Sequence, residues 1–190
     1  TEVVAANLRP GIRPNVDGRD LVIRNSDGTL SVLLDATVGH TQPVSLRPAV
    51  SITVGEPIRA ITATDLELDG DADLAVLTGS AGGPTTVRLL RNDYLTRDPA
   101  GLVQQSNAQP VFATGVGGLP ADGGAKLLVS GRLSGVLSNP DDLATIADSP
   151  GPGRGPASNN VVGFPIRLPS RACNRADVSE LGGTAEAPGS

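Results

Sequence analysis

The sequence predicts an all-β chain built from about three repeating units of four antiparallel strands. Three observations carry that expectation. Helical periodicity is weak throughout, and the apolar residues fall in short runs bounded by Gly, Asp, Asn and Pro. An Asp-Leu dipeptide followed by further residues of a strand-like run recurs at Asp20, Asp73 and Asp142, with spacings of 53 and 69 residues. Aromatic residues are only 2% of the chain (Tyr94, Phe112 and Phe164), so the core must come from Val, Leu, Ile and Ala.

The elements follow in chain order. In the first unit, Val3 to Ala6 leads to Leu21 to Arg24, and Thr29 to Leu34 follows after Asn25-Ser26-Asp27-Gly28. Leu30, Val32 and Leu34 alternate onto one face, and an Asp-Gly pair between two strand-like runs is a strong hairpin signal. In the second unit the runs are Ile58 to Thr64, Leu74 to Leu77 and Thr85 to Leu90, with Gly79, Gly82 and Gly83 in the turn between the last two. The third repeats the pattern with Lys126 to Ser130, Asp142 to Thr145 and Val161 to Ile166. Outer strands are expected at Val50 to Val54 and at Pro110 to Ala113.

Four strands per unit at this period is the pattern of β-propeller blades. The units are expected near 1–54, 55–114 and 115–170, and 171–190 reads as a C-terminal linker or tail. Closed propellers use about four to eight blades. Three are too few, so the chain is expected to be a fragment of a larger propeller, with further blades of the same parent chain ahead of Thr1. The absence of any Met points the same way, or to a removed leader. A three-unit β-solenoid or a sandwich is the competing architecture.

Composition excludes several functions. The net charge is -5, and Lys126 is the one Lys among 15 basic residues. A nucleic-acid binder normally carries a basic stripe, and a membrane-surface binder a basic cluster, so neither partner is expected. No apolar stretch is long enough to insert in a bilayer as a helix. Cys173 is the single Cys, which excludes an internal disulfide and a Cys-based zinc site.

The segment that carries chemistry is Asp65-Leu66-Glu67-Leu68-Asp69-Gly70-Asp71-Ala72-Asp73. Acids stand at alternate positions, with Gly at the sixth. Ca²⁺ takes six to eight oxygen ligands, a loop can supply them from alternate positions, and Gly permits the sharp bend. Clustered carboxylates repel one another in a bare turn and are stabilised around a divalent ion. A donor set without His or Cys favours Ca²⁺ over zinc or copper. Asp65, Glu67, Asp69 and Asp73 are expected to give side-chain oxygens, and Asp71 its backbone carbonyl. The competing reading is a solvated acidic turn that binds nothing. The loop is no EF-hand, since its twelfth position is Val76 and its flanks are strand-like.

The same stretch, with Leu74-Ala75-Val76 after it and Val87-Arg88-Leu89-Leu90-Arg91-Asn92 beyond, resembles an FG-GAP/VCBS-type repeat, a blade of integrin-α-like β-propellers. The resemblance implies that the acidic loop joins the first two strands of a blade and binds Ca²⁺. Gly55-Glu56-Pro57 fits the lead-in to that blade. In the first unit Asn15, Asp17 and Asp20 keep part of the pattern and are a second candidate ligand group. Ser138-Asn139-Pro140-Asp141-Asp142, in the third, has lost the Gly. Cys173-Asn174-Arg175-Ala176-Asp177-Val178 resembles the lead-in to dockerin-like carboxy-terminal segments, with an ordinary tail as the alternative.

Catalytic signals are weak. His40 is the single His and lies in a loop-like Gly-His-Thr-Gln-Pro stretch, and no Gly-x-Ser-x-Gly elbow exists. The chain is therefore expected not to be an enzyme. Its expected function is a secreted or cell-surface, calcium-stabilised, non-catalytic binding or adhesion scaffold for a protein or carbohydrate ligand. The alternative is a noncatalytic blade set within a larger secreted polysaccharide-active enzyme. Extracellular modules bind Ca²⁺ at about 0.1–1 mM, so such a site fills outside a cell.

Overall fold

The computed structural model describes residues 2–11, 19–37, 43–80, 83–121, 125–131, 142–147 and 160–164. Within them the chain is all-β, with no helix. Strands β1 (Glu2–Ala6), β2 (Asp20–Arg24), β3 (Thr29–Asp35) and β4 (Leu46–Thr53) form a first sheet in chain order. Strands β5 (Ile58–Thr64), β6 (Asp73–Thr78), β7 (Thr85–Asn92) and β10 (Phe112–Ala121) form a second. A small hairpin, β8 (Leu95–Arg97) and β9 (Val103–Gln105), interrupts the path from β7 to β10. Strands β11 (Ala125–Gly131), β12 (Asp142–Ala147) and β13 (Asn160–Phe164) form a third sheet. Every pairing is antiparallel. Among the described residues no sheet closes into a barrel or a propeller.

The hairpin foreseen at Asp27-Gly28 joins β2 and β3, with Arg24 opposite Leu30. Asn25 N donates to Thr29 O at 2.9 Å, Asp27 Oδ1 accepts from Thr29 N at 3.0 Å, and Gly28 takes φ 81°. That left-handed backbone is what the glycine supplies.

Two apolar clusters hold the sheets together. Val22, Leu30, Val32, Leu34 and Ile52 of the first sheet pack on Ile58, Ile61, Leu74, Val76 and Leu90 of the second. The opposite face of the second sheet, with Ala60, Ala75, Leu77, Val87 and Leu89, packs on Ala125, Leu128 and Leu143 of the third. The second sheet is thus the middle layer. Every residue of β6 is buried, so its sequence Asp-Leu-Ala-Val-Leu-Thr shows no alternation of polar and apolar residues. β3 alternates instead, with Leu30, Val32 and Leu34 buried between half-buried neighbours.

The outer strand of the second sheet differs from its expected extent. β10 runs from Phe112 to Ala121, past the expected run of Pro110 to Ala113, and shifts register between Ala113 and Val116 and again between Val116 and Leu119. The Gly-Val-Gly-Gly stretch at 115–118, which has no strand alternation, lies within it. The β8–β9 hairpin was not foreseen, because its strands are three residues each and β9 is exposed throughout.

Leu77 is fully buried on β6 within the cluster beneath the third sheet. Leu77→Ala is expected to cost about 2–5 kcal/mol, the usual range for truncating a core leucine. Equilibrium denaturation of the variant against the parent chain measures it.

Candidate metal centre

The acidic segment forms the loop from β5 to β6, with Thr64 and Asp73 as the last ladder pair before it opens. Leu68 takes φ 55° and Gly70 φ 101°. Two left-handed residues in three positions curl the chain, and Leu68 does so against the usual preference of a side-chain-bearing residue. The curl turns Asp69 and Asp71 inward, and both are buried with Gly70 exposed between them.

Asp73 is the anchor. Its Oδ2 accepts from Leu66 N and its Oδ1 from Asn92 N, each at 2.7 Å. The carboxylate thereby joins the start of the loop to the end of β7. Asp65 gathers the middle of the loop, accepting from Asp69 N at 3.2 Å on Oδ1 and from Gly70 N at 3.1 Å on Oδ2. Asp69 Oδ1 accepts from Asp71 N at 3.2 Å, and Asp71 Oδ2 from Leu95 N at 2.7 Å. The second oxygens of these two residues, Asp69 Oδ2 and Asp71 Oδ1, are buried without a hydrogen-bond partner. Orphaned carboxylate oxygens in the interior are costly and call for a counter-charge or a proton.

Glu67 is drawn elsewhere. Its Oε1 lies 3.4 Å from Arg91 Nη1, and Arg91 Nη2 lies 2.7 Å from Asp93 Oδ1. The Arg97 guanidinium donates to Leu68 O from the hairpin. The Asp71 side chain is committed to holding the chain, since its Oδ2 accepts from Leu95 N. Among the described residues no three acidic side chains converge on one point in the manner of a finished ion cage. Asp65, Asp69 and Asp71 are linked through main-chain N–H groups, Glu67 pairs with Arg91, and Asp73 staples the strands. The donors present are hard oxygens, two of them unpartnered, which fits a hard cation such as Ca²⁺.

Burial raises the proton affinity of the group. It pushes Asp71 up to about 8, aided by the charges of Asp69, Asp65 and Glu67 and opposed by the Leu95 N–H. It pushes Glu67 up to about 7 against the pull of Arg91, and Asp69 up to about 6 against the bond from Asp71 N. Asp73 also lies well above the usual carboxylate range, with burial as the main cause and its two backbone bonds opposing.

Residues to which the sequence assigned no role complete the neighbourhood. Asn92 is fully buried: its Nδ2 donates to Leu8 O at 2.9 Å and Ala72 O at 3.2 Å, and its Oδ1 accepts from Tyr94 N at 3.2 Å. Ala72 N donates to Asn7 O at 2.9 Å. The loop is therefore tied to the segment that follows β1. The signal was a polar residue ending an apolar run, which many exposed strand ends share.

The first sheet repeats the Asp73 construction and adds a cation to it. Asp20 begins β2 as Asp73 begins β6, and its Oδ1 accepts from Asp35 N, at the end of β3, at 2.8 Å. Arg9 lies across the same carboxylate, with Nη2 2.8 Å from Oδ1, Nε 3.3 Å from Oδ2, and Nη2 donating to Asp35 O at 2.9 Å. Asp20 thus carries its positive partner within the chain. Asn15 and Asp17, its proposed companions, lie outside the described residues, as do Ser138 to Asp141 of the third unit, His40 and Cys173.

No family model, curated protein or solved structure matches the chain.

Two outcomes follow from this geometry. Acids whose folded affinity for protons exceeds the unfolded one destabilise the fold once ionised. With divalent ions chelated, the contribution of these acids to stability is therefore fullest below about pH 4, where the unfolded carboxyls are protonated too, and is lost as pH rises from there to about 8, as Asp69, Glu67 and Asp71 ionise. Denaturant midpoints across that range in chelator check the sign. Arg9→Met leaves Asp20 buried without its cation and is expected to cost about 3–5 kcal/mol. Asp20→Asn in the same background should recover part of the loss, as a double-mutant cycle would read.

Proposed function

We propose that this chain is a run of β-propeller blades whose second blade holds Ca²⁺ in the loop 65–73, serving as a non-catalytic binding scaffold outside the cell. The observation that carries this reading is the pair of buried, unpartnered oxygens on Asp69 and Asp71, in a loop of alternating acids between the first two strands of a four-stranded meander. Asp65, Glu67, Asp69, Asp71 and Asp73 would supply the oxygens, with Asp69 Oδ2 and Asp71 Oδ1 the two that have no other partner. Ca²⁺ supplies the charge that makes ionised carboxylates tolerable there. The surrounding residues fix the loop: Asp73 joins it to β7, Asn92 joins it to the segment that follows β1, and Arg91 tempers Glu67.

The role of the ion is structural in this reading. It pins the turn from β5 to β6 and hence the register of the middle layer, which packs on both neighbours. The rigid sheets then present their connecting loops to a protein or carbohydrate ligand. A secreted or cell-surface setting, where calcium is abundant, keeps such a site filled.

Titration calorimetry with Ca²⁺ tests the reading. Binding of about one ion with Kd on the order of 0.1–1 mM is expected. At a hundredfold excess over Kd the ion adds about 2.7 kcal/mol of stability. Asp69→Ala should remove both the heat and the calcium-dependent rise in melting temperature. Absence of binding by the parent chain, with melting curves identical in calcium and in chelator, would refute it.

A further inference from the structure

A four-stranded meander does not need the excursion between β7 and β10, and burial of apolar side chains does not hold that excursion in place. Leu95, Leu102 and Val103 belong to neither core cluster, and Leu102 and Val103 are exposed. The β8–β9 hairpin is instead fixed by hydrogen bonds at its base and at the acidic loop. At the base, the carbonyl of the buried Tyr94 accepts from Ser106 N at 2.9 Å and from Asn107 N at 3.4 Å. Asn107 Nδ2 donates to Asp93 O at 2.6 Å. At the loop, Leu95 N donates to Asp71 Oδ2 at 2.7 Å, and the Arg97 guanidinium donates to Leu68 O.

Each of the two loop contacts acts on a residue that matters for the cation. Leu95 stands opposite Gln105 in the hairpin ladder, yet its N–H goes to the loop. The Asp71 carboxylate thus holds the hairpin with Oδ2, while its Oδ1 is buried without a hydrogen-bond partner. A carboxylate is a rigid plane, so fixing one oxygen fixes the other. Arg97 spans two carbonyls: Nη1 donates to Gly101 O at 2.9 Å, and Nη2 donates to Leu68 O. Leu68 is the residue held at φ 55°, a backbone state that a side chain disfavours. The turn behind Arg97 is firm, since Asp98 Oδ1 accepts from Ala100 N at 2.9 Å and from Leu102 N at 2.8 Å. Arg97 therefore grips the curl of the loop from a fixed base.

We propose that the β8–β9 hairpin is the positioning element of the loop 65–73, and that Ca²⁺ binding and hairpin docking strengthen each other. Leu95 N and Arg97 hold Asp71 and Leu68 in the arrangement that leaves Asp71 Oδ1 available to a cation. Groups that orient a ligand without touching the metal commonly change metal affinity by about 10–100-fold. The coupling is reciprocal: the factor by which docking raises the affinity for Ca²⁺ is the factor by which Ca²⁺ favours docking. Calcium thereby governs how firmly the exposed strand β9 and its turn are held. The inference rests on the ion-binding reading proposed above and adds to it the element that the ion controls.

Amide exchange and Ca²⁺ calorimetry on the full chain test it together. In chelator the Leu95 N–H is expected to exchange faster than those of β6, by local opening. In saturating Ca²⁺ it should slow by about tenfold or more. Arg97→Lys is expected to weaken Ca²⁺ binding by about tenfold. Burial raises the proton affinity of Asp69 and the Arg97 charge partly opposes it, so the charge must be kept in the variant. Lys keeps it but lacks the planar fork that spans two carbonyls, and the loss then reports the clamp. Arg97 is exposed, and an unchanged circular dichroism spectrum guards against loss of fold. Leu102→Ser, in the same turn but with its side chain outside both contacts, should bind Ca²⁺ as the parent chain does. A parent chain that gives no heat with Ca²⁺ overturns the ion reading and this inference together. Heat with an unmoved Leu95 amide, or parental affinity in Arg97→Lys, overturns this inference alone. So does an equal loss of affinity in Leu102→Ser.

Discussion

The arrangement depends on one buried carboxylate. Asp73 stands at the point where β6 enters the interior, and its two oxygens reach Leu66 N on one side and Asn92 N on the other. Those N–H groups have no ladder partner where the loop opens and where β7 ends. A buried donor left unpaired costs on the order of 1–3 kcal/mol, and Asp73 satisfies two at once. By doing so it fixes where β6 begins relative to both of its neighbours. A slip of one residue would turn Leu74 and Val76 away from the first sheet and Ala75 and Leu77 away from the third. The two apolar interfaces therefore depend on the placement of a polar group between them.

The first sheet solves the same problem differently. Asp20 also receives the N–H from the end of its third strand, but its remaining demand is met by the Arg9 guanidinium. A planar fork suits a carboxylate, since it presents donors to both oxygens at once. The acidic loop of the second sheet has no such internal partner for Asp69 Oδ2 and Asp71 Oδ1. Two neighbouring sheets with one strand order thus differ in where the compensating charge comes from. One is sealed by its own chain, and the other has a demand that an outside ion or a proton can meet.

How much of this was legible in the sequence depended on whether the determining contact was local. The Asp27-Gly28 turn and the alternation of β3 are local, and they could be read directly. The acidic loop was legible as a chemical unit because its five acids lie within nine residues. The roles inside it were not. That Asp71 would hold Leu95 N, or that Glu67 would pair with Arg91, depends on residues about 24 positions away. Arg9 was invisible for the same reason: its partner is 11 residues along, beyond a turn. The extension of β10 beyond Ala113 escaped because its Gly-rich segment pairs through the backbone, which imposes no pattern on side chains.

The detour through β8 and β9 has a consequence for how the molecule comes apart. Strand β10 reaches its place only after a long excursion from β7, so its pairing carries a larger loop-closure cost than any tight hairpin in the same sheet. It borders a single neighbour, and its ladder is broken at two register shifts. Cohesion is therefore lowest along this margin, while β6 at the centre is gripped on every side. Opening should begin by peeling at β10, and amide hydrogens there should exchange with solvent long before those of β6.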